Sequence, residues 1–502
     1  MAVAEGAQWS GLFRIAPDSG RTLQSQIREA VVGAVLNGRM RADQPLPSCR
    51  TLAKHLGVAR GTVVLAYQQL LDAGFLVSVE RRGHFVNPEA LPVTPEAGGR
   101  GAEDGTPDGP DWDAFGARSI GPLRIPRKPA DWLSHPYPFV YGQFDPALFP
   151  VNEWRECSRM ALGVREIRDW AADWADRDDP LLIEQIRTRL LPRRGIFARP
   201  DEIMVTLGAQ NALYLLTSLL GSPGRSFAVE DPGYPDARAI FSLGGEVVPV
   251  GMDASGIDPA RVPERATVLF CTPSHQCPTG LSMPRERREA LLDWADARGG
   301  LVIEDDYDSQ LLDRPEGGVV PAEEALPALK SLDRSGRVVH IGSLSKTLAP
   351  GLRVGFLVAD ADLVRRLRQL RRLVLRHPPA NNQRAVAIFL SLGHHDALVR
   401  RVVRSIRQKR DALREAMAAM MPRLDAGPGV ASASVWYRGP RGFDAQALAA
   451  RARANGVIVE PGQVFYHDPQ TAPGDALRFG VTSIDRRRIE RGVAALAQAM
   501  EG

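Results

Sequence analysis

The chain has 502 residues, 44% of them hydrophobic and 24% charged, enough for more than one globular domain with a large core. No apolar run approaches the roughly 18 residues that span a bilayer, the first residues lack the basic and apolar regions of a secretion signal, and Cys49, Cys157, Cys271 and Cys277 form neither a CxxC pair nor a metal spacing. These features predict a reduced, cytoplasmic setting. The net charge of +4 is unevenly placed: residues 20–88 hold nine Lys/Arg against four Asp/Glu, and the rest of the chain 54 against 55. A polyanion would bind in that first segment.

Within residues 15–88, Leu23, Ile27, Ala30, Val31, Ala34 and Val35 fall at helical spacing and predict a helix over 22–38. Ser48 is a suitable N-cap for a short helix over 49–56, Gly57 ends it in a tight turn, and a second helix runs from near Arg60 to about Ala73. Helix, short glycine turn, helix is the helix-turn-helix pattern. Its second helix enters the major groove with its N-terminal residues forward, here Arg60, Gly61 and Thr62. Arg60 could fork onto guanine or phosphate. Residues 74–86 alternate like a hairpin with Arg81, Arg82, Gly83 and His84 at the tip, a wing suited to phosphate or minor-groove contact. A small helical domain used for protein contact is the alternative.

Residues 89–135 are rich in Pro, Gly and Asp and predict a flexible linker. From 136 to 502 short apolar runs alternate with amphipathic helices, the pattern of an α/β domain with a mainly parallel sheet. Strands are expected at Ile203–Leu207, Ser226–Glu230, Thr267–Cys271, Leu301–Asp305 and Val338–Ile341, with helices near 209–220, 284–298, 381–394 and 396–420. A smaller C-terminal lobe is expected from about 427. Its strands are Ala431–Tyr437, Val457–Glu460 and Ala476–Val481, with a last helix from about 485.

The segment Ser343-Leu-Ser-Lys-Thr-Leu-Ala-Pro-Gly-Leu-Arg-Val-Gly355 sets Lys346 between two hydroxyls and an arginine, directly after an apolar strand. A lysine buried there loses proton affinity and becomes a usable amine, with Ser343, Ser345 and Arg353 placed to surround a phosphate-like anion. Val205-Thr-Leu-Gly-Ala-Gln runs a strand into a helix, aiming the backbone N–H groups of Ala209 and Gln210 at an anion. Tyr234, in Glu230-Asp-Pro-Gly-Tyr-Pro, offers a face for a planar ring. Val302-Ile-Glu-Asp-Asp-Tyr-Asp308 ends a strand in carboxylates that repel unless a cation compensates them. A protonated pyridinium or a Mg²⁺ ion would serve. Thr272-Pro-Ser-His-Gln-Cys-Pro-Thr-Gly280 is a further strand-end loop, and open α/β sheets bind ligands at that edge.

These motifs carry two resemblances. Residues 46–76 follow the pattern of the GntR-type winged helix-turn-helix almost throughout, which implies DNA contacts at Arg50, Arg60, Thr62 and the wing around Arg82 and Gly83. The large domain, in the order GAQ, DPGYP, TPSHQCPTG, EDDYDS, SLSKTLAPGLRVG, resembles the fold type I aminotransferases, which bind pyridoxal 5′-phosphate (PLP). That implies an α/β PLP-dependent transferase-like large domain with a C-terminal α/β lobe. Lys346 would form the internal aldimine, Asp305 would hold the pyridine nitrogen, Tyr307 would contact the ring hydroxyl and Tyr234 would stack on the ring. Ser343, Ser345, Arg353 and the Ala209/Gln210 backbone would hold the phosphate, and Arg478 the carboxylate of an effector or substrate.

The combination resembles the MocR (GabR-like) subfamily of GntR transcription regulators. It implies a DNA-binding homodimer, arranged head to tail, that senses an amine or amino acid through the aldimine at Lys346. The stretch from Tyr141 to Arg187 is similar to regulators of ectoine-type compatible-solute catabolism, so genes of amino-acid or compatible-solute metabolism are the expected targets. A working aminotransferase with an accessory DNA reader is the alternative, and the intact lysine argues against a vestigial site. Two departures stand out: Trp174-Ala-Asp-Arg replaces the family's Tyr-Gly-Asp-Pro, so a phosphate-reaching tyrosine is absent, and Cys277 stands where aminotransferases carry asparagine.

Overall fold

In the computed structural model, which describes residues 16, 20–42, 45–91, 114, 123–174, 176–311, 326–427 and 433–501, the chain divides into two units, Met1–Ser119 and Ile120–Gly502. Residue 15, linker positions 92–113 and 115–122, and the first two residues of the expected strand 431–437 lie outside the described residues. Among the described residues no helix is long and apolar enough to cross a membrane.

The first unit is built as its sequence requires. Helices α1 (Leu23–Leu36), α2 (Cys49–Leu56) and α3 (Arg60–Asp72) are followed by the hairpin β1 (Leu76–Val79) and β2 (Gly83–Val86). Ser48 caps α2 by accepting the Thr51 N–H at 3.1 Å, and Gly57 closes it in the left-handed region at φ 65°. Ile27, Val31, Leu52, Val63 and Leu70 form one apolar core. The buried Tyr67 hydroxyl donates to the Pro47 carbonyl at 3.0 Å, fixing the approach to α2.

The second unit begins with the last residues of the expected linker, and a short strand β3 (Tyr137–Pro138) follows. Its main sheet contains β4 (Ile203–Thr206), β5 (Ser226–Asp231), β6 (Glu246–Asp253), β7 (Gly256–Ile257), β8 (Ala266–Cys271), β9 (Leu301–Asp305), β10 (Val338–Ser343) and β11 (Gly355–Val358). The spatial order is β4-β11-β10-β9-β8-β5-β6-β7. The run β10-β9-β8-β5-β6 is parallel, whereas β11 is antiparallel to both β10 and β4. The five expected strands are present, and β6, β7 and β11 are additions. Because β4, β5, β8, β9 and β10 point one way, the five chemistry-bearing loops emerge at one edge, as the parallel-sheet rule requires. Helix α4 (Ala209–Leu220) follows β4 directly, and a 27-residue helix, His394–Met420, leads to the small lobe.

The small lobe holds β12 (Asp425–Ala426), β13 (Ser434–Arg438), β14 (Val457–Ile458), β15 (Glu460–Pro461) and β16 (Ala476–Gly480). Strands β12-β13-β16-β15 form one sheet, and β14 pairs with β3, so residues before the large domain are woven into the lobe that ends it. Gly480 donates its N–H to the Phe139 carbonyl at 3.0 Å, and a Cβ there would lie 2.4 Å from backbone atoms of Val140 and Tyr141. Two backbones cannot yield as one side chain can. Gly480→Ala should therefore cost about 3 kcal/mol or more, measured as a drop in the denaturation midpoint of this unit.

Candidate functional site

A cavity of about 350 Å³ opens at the strand-end edge. Lys346, Asp305, Tyr307, Tyr234, Ala209, Gln210, Ser343, Ser345, Arg353 and Arg478, scattered over 270 residues of sequence, all line it. Tyr141, Lys128, Asp236, Cys277 and Glu460 line it as well.

Lys346 has the unpaired amine expected of a reactive lysine. Among the described residues its Nζ makes no hydrogen bond or ion pair, and it lies 4.7 Å from the centroid of the Tyr141 ring. Burial lowers its pKa to about 8; nearby Asp308 opposes the shift, and Arg478 and Lys128 add to it. A lysine in this state supplies neutral amine near neutral pH.

The acidic strand end resolves into four separate tasks. Glu304 meets His340 at 2.9 Å and accepts the N–H groups of Leu329 and Lys330. Asp306 is paired with Arg194 at 2.8 Å, and Asp308 with His275 at 3.0 Å. Asp305 alone faces the cavity with Oδ1 buried and unpartnered, and burial, aided by Asp306 and Asp308, raises its pKa to about 8. No three His, Cys, Asp or Glu side chains among the described residues converge as a metal site. An orphaned carboxylate with raised proton affinity fits a protonated ring nitrogen, so the Mg²⁺ alternative loses its ligand set.

Asp305→Asn should then trade stability for cofactor affinity. The folded state of the cofactor-free wild type holds its proton to about pH 8, while the unfolded chain releases it near 3.8. Folding stability therefore falls as pH rises from about 4 to 8. Melting curves should show the cofactor-free variant gaining over wild type across that window and keeping its advantage above it, with PLP affinity reduced about tenfold or more by loss of a charge-assisted bond.

The other donors form an anion cradle. Helix α4 starts at Gly208 with no side-chain cap, leaving the N–H groups of Ala209 and Gln210 toward the cavity. Ser345 N donates to Ser343 Oγ at 3.2 Å, and Ser345 Oγ is buried without a partner. Arg353 donates to the Leu207 carbonyl at 2.6 Å. Two serines, one arginine and a helix N-terminus suit a phosphate, and Tyr234 flanks them with its hydroxyl 3.3 Å from Gln210 Nε2. The residues present thus fit an aldehyde, a ring nitrogen and a phosphate at three places in one cavity, which matches PLP.

The structure adds residues that sequence motifs did not single out. The Tyr307 hydroxyl lies 2.9 Å from His275 Nδ1, the same nitrogen that meets Asp308, and burial raises the Tyr307 pKa strongly. Arg478 Nε pairs with Glu460 Oε2 at 2.7 Å, and its Nη1 lies 3.9 Å from Cys277 Sγ. Its guanidinium also sits 4.5 Å from the centroids of Tyr141 and Phe465. Cys277, at the usual asparagine position, packs against Trp436 and Phe465, and burial pushes its thiol up to about 12, so it is held neutral. Gly142, next to Tyr141, has φ 81°, and a Cβ there would lie 3.0 Å from Lys346 Nζ. Trp174 donates to the Asp169 carbonyl at 2.8 Å and carries the Arg177 guanidinium 3.6 Å from its ring centroid, a position outside the cavity.

In the first unit Arg50, Arg60, Arg82 and Gly83 are exposed and Thr62 is half-buried at the start of α3. Among the described residues none of these arginines is paired with a carboxylate. Arg82 instead lies 5.3 Å from the Phe85 ring centroid, beside Arg81 and Gly83, both in the left-handed region at the hairpin tip. Unpaired arginines on the second helix and wing of a helix-turn-helix leave their charge for phosphates.

A winged DNA reader joined to a fold type I PLP cradle defines a class: PLP-dependent, DNA-binding transcription regulators. The family model for aminotransferase class I and II matches residues 176–496, and that for bacterial regulatory proteins of the gntR family matches residues 23–86. The HTH-type transcriptional regulator TauR of Rhodobacter capsulatus is 43% identical over 97% of this chain and 98% of its own. The probable rhizopine catabolism regulatory protein MocR of Rhizobium meliloti is 28% identical over 96% of this chain and 94% of its own. Among solved structures, the α-aminoadipate aminotransferase LysN of Thermus thermophilus, complexed with N-(5′-phosphopyridoxyl)-L-leucine, matches with a TM-score of 0.65 and 29% identity over 74% of this chain and 94% of that one. The chain belongs to the MocR-like subfamily of the GntR regulators.

Proposed function

We propose that this regulator is switched by a small amine or amino acid that engages PLP at Lys346, and that it controls genes of amino-acid or compatible-solute metabolism. The carrying observation is the buried Lys346 amine, unpaired and with its pKa lowered to about 8, in one cavity with the orphaned Asp305 carboxylate. When bound, PLP supplies an aldehyde that condenses reversibly with primary amines and a ring that absorbs visible light. Lys346 offers the resident amine, Asp305 keeps a proton on the ring nitrogen, Tyr307 and His275 stand ready for the ring oxygen, and Arg478 orients an acid group. Effector choice between bound states then shifts the equilibrium that the DNA reader experiences. The ectoine-type assignment rests on the stretch from Tyr141 to Arg187 alone. Full-length relatives named as regulators favour this reading over a working transaminase.

As part of the same reading the protein acts as a cytoplasmic homodimer, arranged head to tail. Leu133, Leu162, Val164, Phe197 and Leu373 of the second unit are between 61% and 85% exposed, apolar surface that a partner copy would cover. Sedimentation should give the mass of two chains. The functional test is an amine and amino-acid screen against the visible absorbance of the PLP-loaded protein, followed by operator binding with and without each hit. A spectral change coupled to altered operator binding is expected. A protein that acquires no visible band would overturn the reading, and sustained turnover with a keto acid would favour the aminotransferase.

A further inference from the structure

The segment immediately before the large domain takes part in the cavity. Pro126 and Lys128 line it beside Lys346 and Arg478. The segment is fastened to the small lobe on both sides of Lys128: Arg124 Nη2 donates to the His467 carbonyl at 3.0 Å, and Asp131 pairs with Arg453 at 3.2 Å. Residues Tyr137–Pro138 then enter the lobe as β3. A second cavity of about 250 Å³ is lined by Lys128 and Pro126 together with Glu460 and Val464. Lys128, on this strap, thus borders both cavities.

The charges around the strap are unbalanced. Glu460 and Arg478 face each other on β15 and β16 and pair at 2.7 Å. That pairing uses one edge of the guanidinium and one carboxylate, and leaves Lys128 as a second cation beside them. Its pKa is lowered, by burial first, while Glu460 holds it up and Arg478 presses it down, which places all three within electrostatic reach. Lys128 has no carboxylate ion-pair partner of its own among the described residues, so its charge is open to an acid group in the cavity beside Arg478.

We propose that Lys128 and Arg478 together bind the acid group of the effector, which is therefore a small primary amine carrying one ionised acid, and that the strap 123–131 shifts when that acid binds. The proposal rests on the reading of Lys346 given above. Because the strap begins four residues after the boundary at Ser119, the residues that meet the effector lie on the stretch of backbone that continues to the DNA-reading unit. Effector occupancy then needs no longer route across the fold to change the position of that connection.

The test uses the PLP-loaded full-length protein and Lys128→Gln, with Lys128→Arg as the charge-keeping control. Glycine, L-alanine and β-alanine serve as acid-bearing amines, and ethylamine and ethanolamine as acid-free ones, titrated by visible absorbance and by calorimetry. All three proteins should carry a visible band without amine, and because Lys128 also depresses the Lys346 amine, the affinity for acid-bearing amines is read relative to that for the acid-free ones in each protein. Lys128→Gln should weaken the tightest acid-bearing amine about tenfold or more, the size of one charged hydrogen bond. Lys128→Arg should stay within about threefold of wild type, and the acid-free amines should bind all three proteins alike. Operator binding of Lys128→Gln should lose its response at amine concentrations that saturate wild type. Equal affinity of Lys128→Gln and wild type for every acid-bearing amine overturns the assignment of Lys128 while leaving Lys346 as the sensing amine. A wild-type band that no amine alters overturns the sensing reading and this one with it.

Discussion

Lys346→Met should remove the visible band and the effector response together while leaving operator binding in place. The other cavity donors would hold PLP non-covalently, so the variant can still take up the cofactor's phosphate in its cradle of serines, Arg353 and helix N-terminus, but it lacks the Lys346 amine that would meet the aldehyde. The same change should stabilise the cofactor-free protein. With its pKa at about 8 rather than 10.5, Lys346 carries a burial cost that is full below pH 8 and is relieved as pH rises through 10.5. A methionine of similar volume carries no such cost. Melting temperatures of the cofactor-free proteins should thus favour Lys346→Met at pH 7 and converge toward pH 10.5. A site residue whose removal raises stability while abolishing function is one kept for its chemistry.

The fold was largely legible because its signals are local. Ser48 and Gly57 mark the ends of α2 within nine residues, and the buried parallel strands read as apolar runs bounded by their loops. What escaped were elements whose identity depends on neighbours. Strand β6 begins at Glu246 and contains Pro249 and Gly251, so its sequence lacks a strand signature, and it forms because β5 offers a parallel edge. Strand β11 reads as the tail of the Lys346 segment, and only its pairing with β10 and β4 makes it a strand.

The site divides in the same way. Lys346, Asp305, Tyr234 and the serines sit in motifs at strand ends, and the one-directional sheet brings them together. Lys128 reaches the cavity from before β3, Tyr141 from just after it and Glu460 from the small lobe, and none of the three was marked as a ligand-binding residue by its local sequence. The carboxylate run 304–308 was ambiguous between a metal and a ring nitrogen because the partners that decide it are distant. His340 and Arg194 remove Glu304 and Asp306 from the cavity chemistry, and they lie 36 and 112 residues away. Pairing, which sequence spacing does not show, left Asp305 as the acid of this run with no ion-pair or hydrogen-bond partner among the described residues.

Arg60→Ala should abolish specific operator binding without touching the PLP site. Arg60 is the first residue of α3, the position that a helix-turn-helix drives into the major groove, and it is exposed with no carboxylate partner. Losing a bidentate base contact costs about 1–3 kcal/mol per reader. In the proposed homodimer two readers would double that, so affinity should fall about a hundredfold or more. The slope of log affinity against log salt then separates the two forms of contact: a guanine contact leaves it nearly unchanged, whereas a phosphate contact lowers it by about one per arginine. Because the side chain is exposed and has no ion-pair partner among the described residues, the variant should unfold within about 0.5 kcal/mol of wild type. Its amine titration should follow the wild-type curve. A parallel loss of operator affinity in Arg82→Ala, with the salt slope lowered by about one per arginine, would mark the wing as a phosphate contact and leave base reading to α3. Wild-type operator affinity in Arg60→Ala would remove α3 from the interface and return the first unit to a protein-contact role.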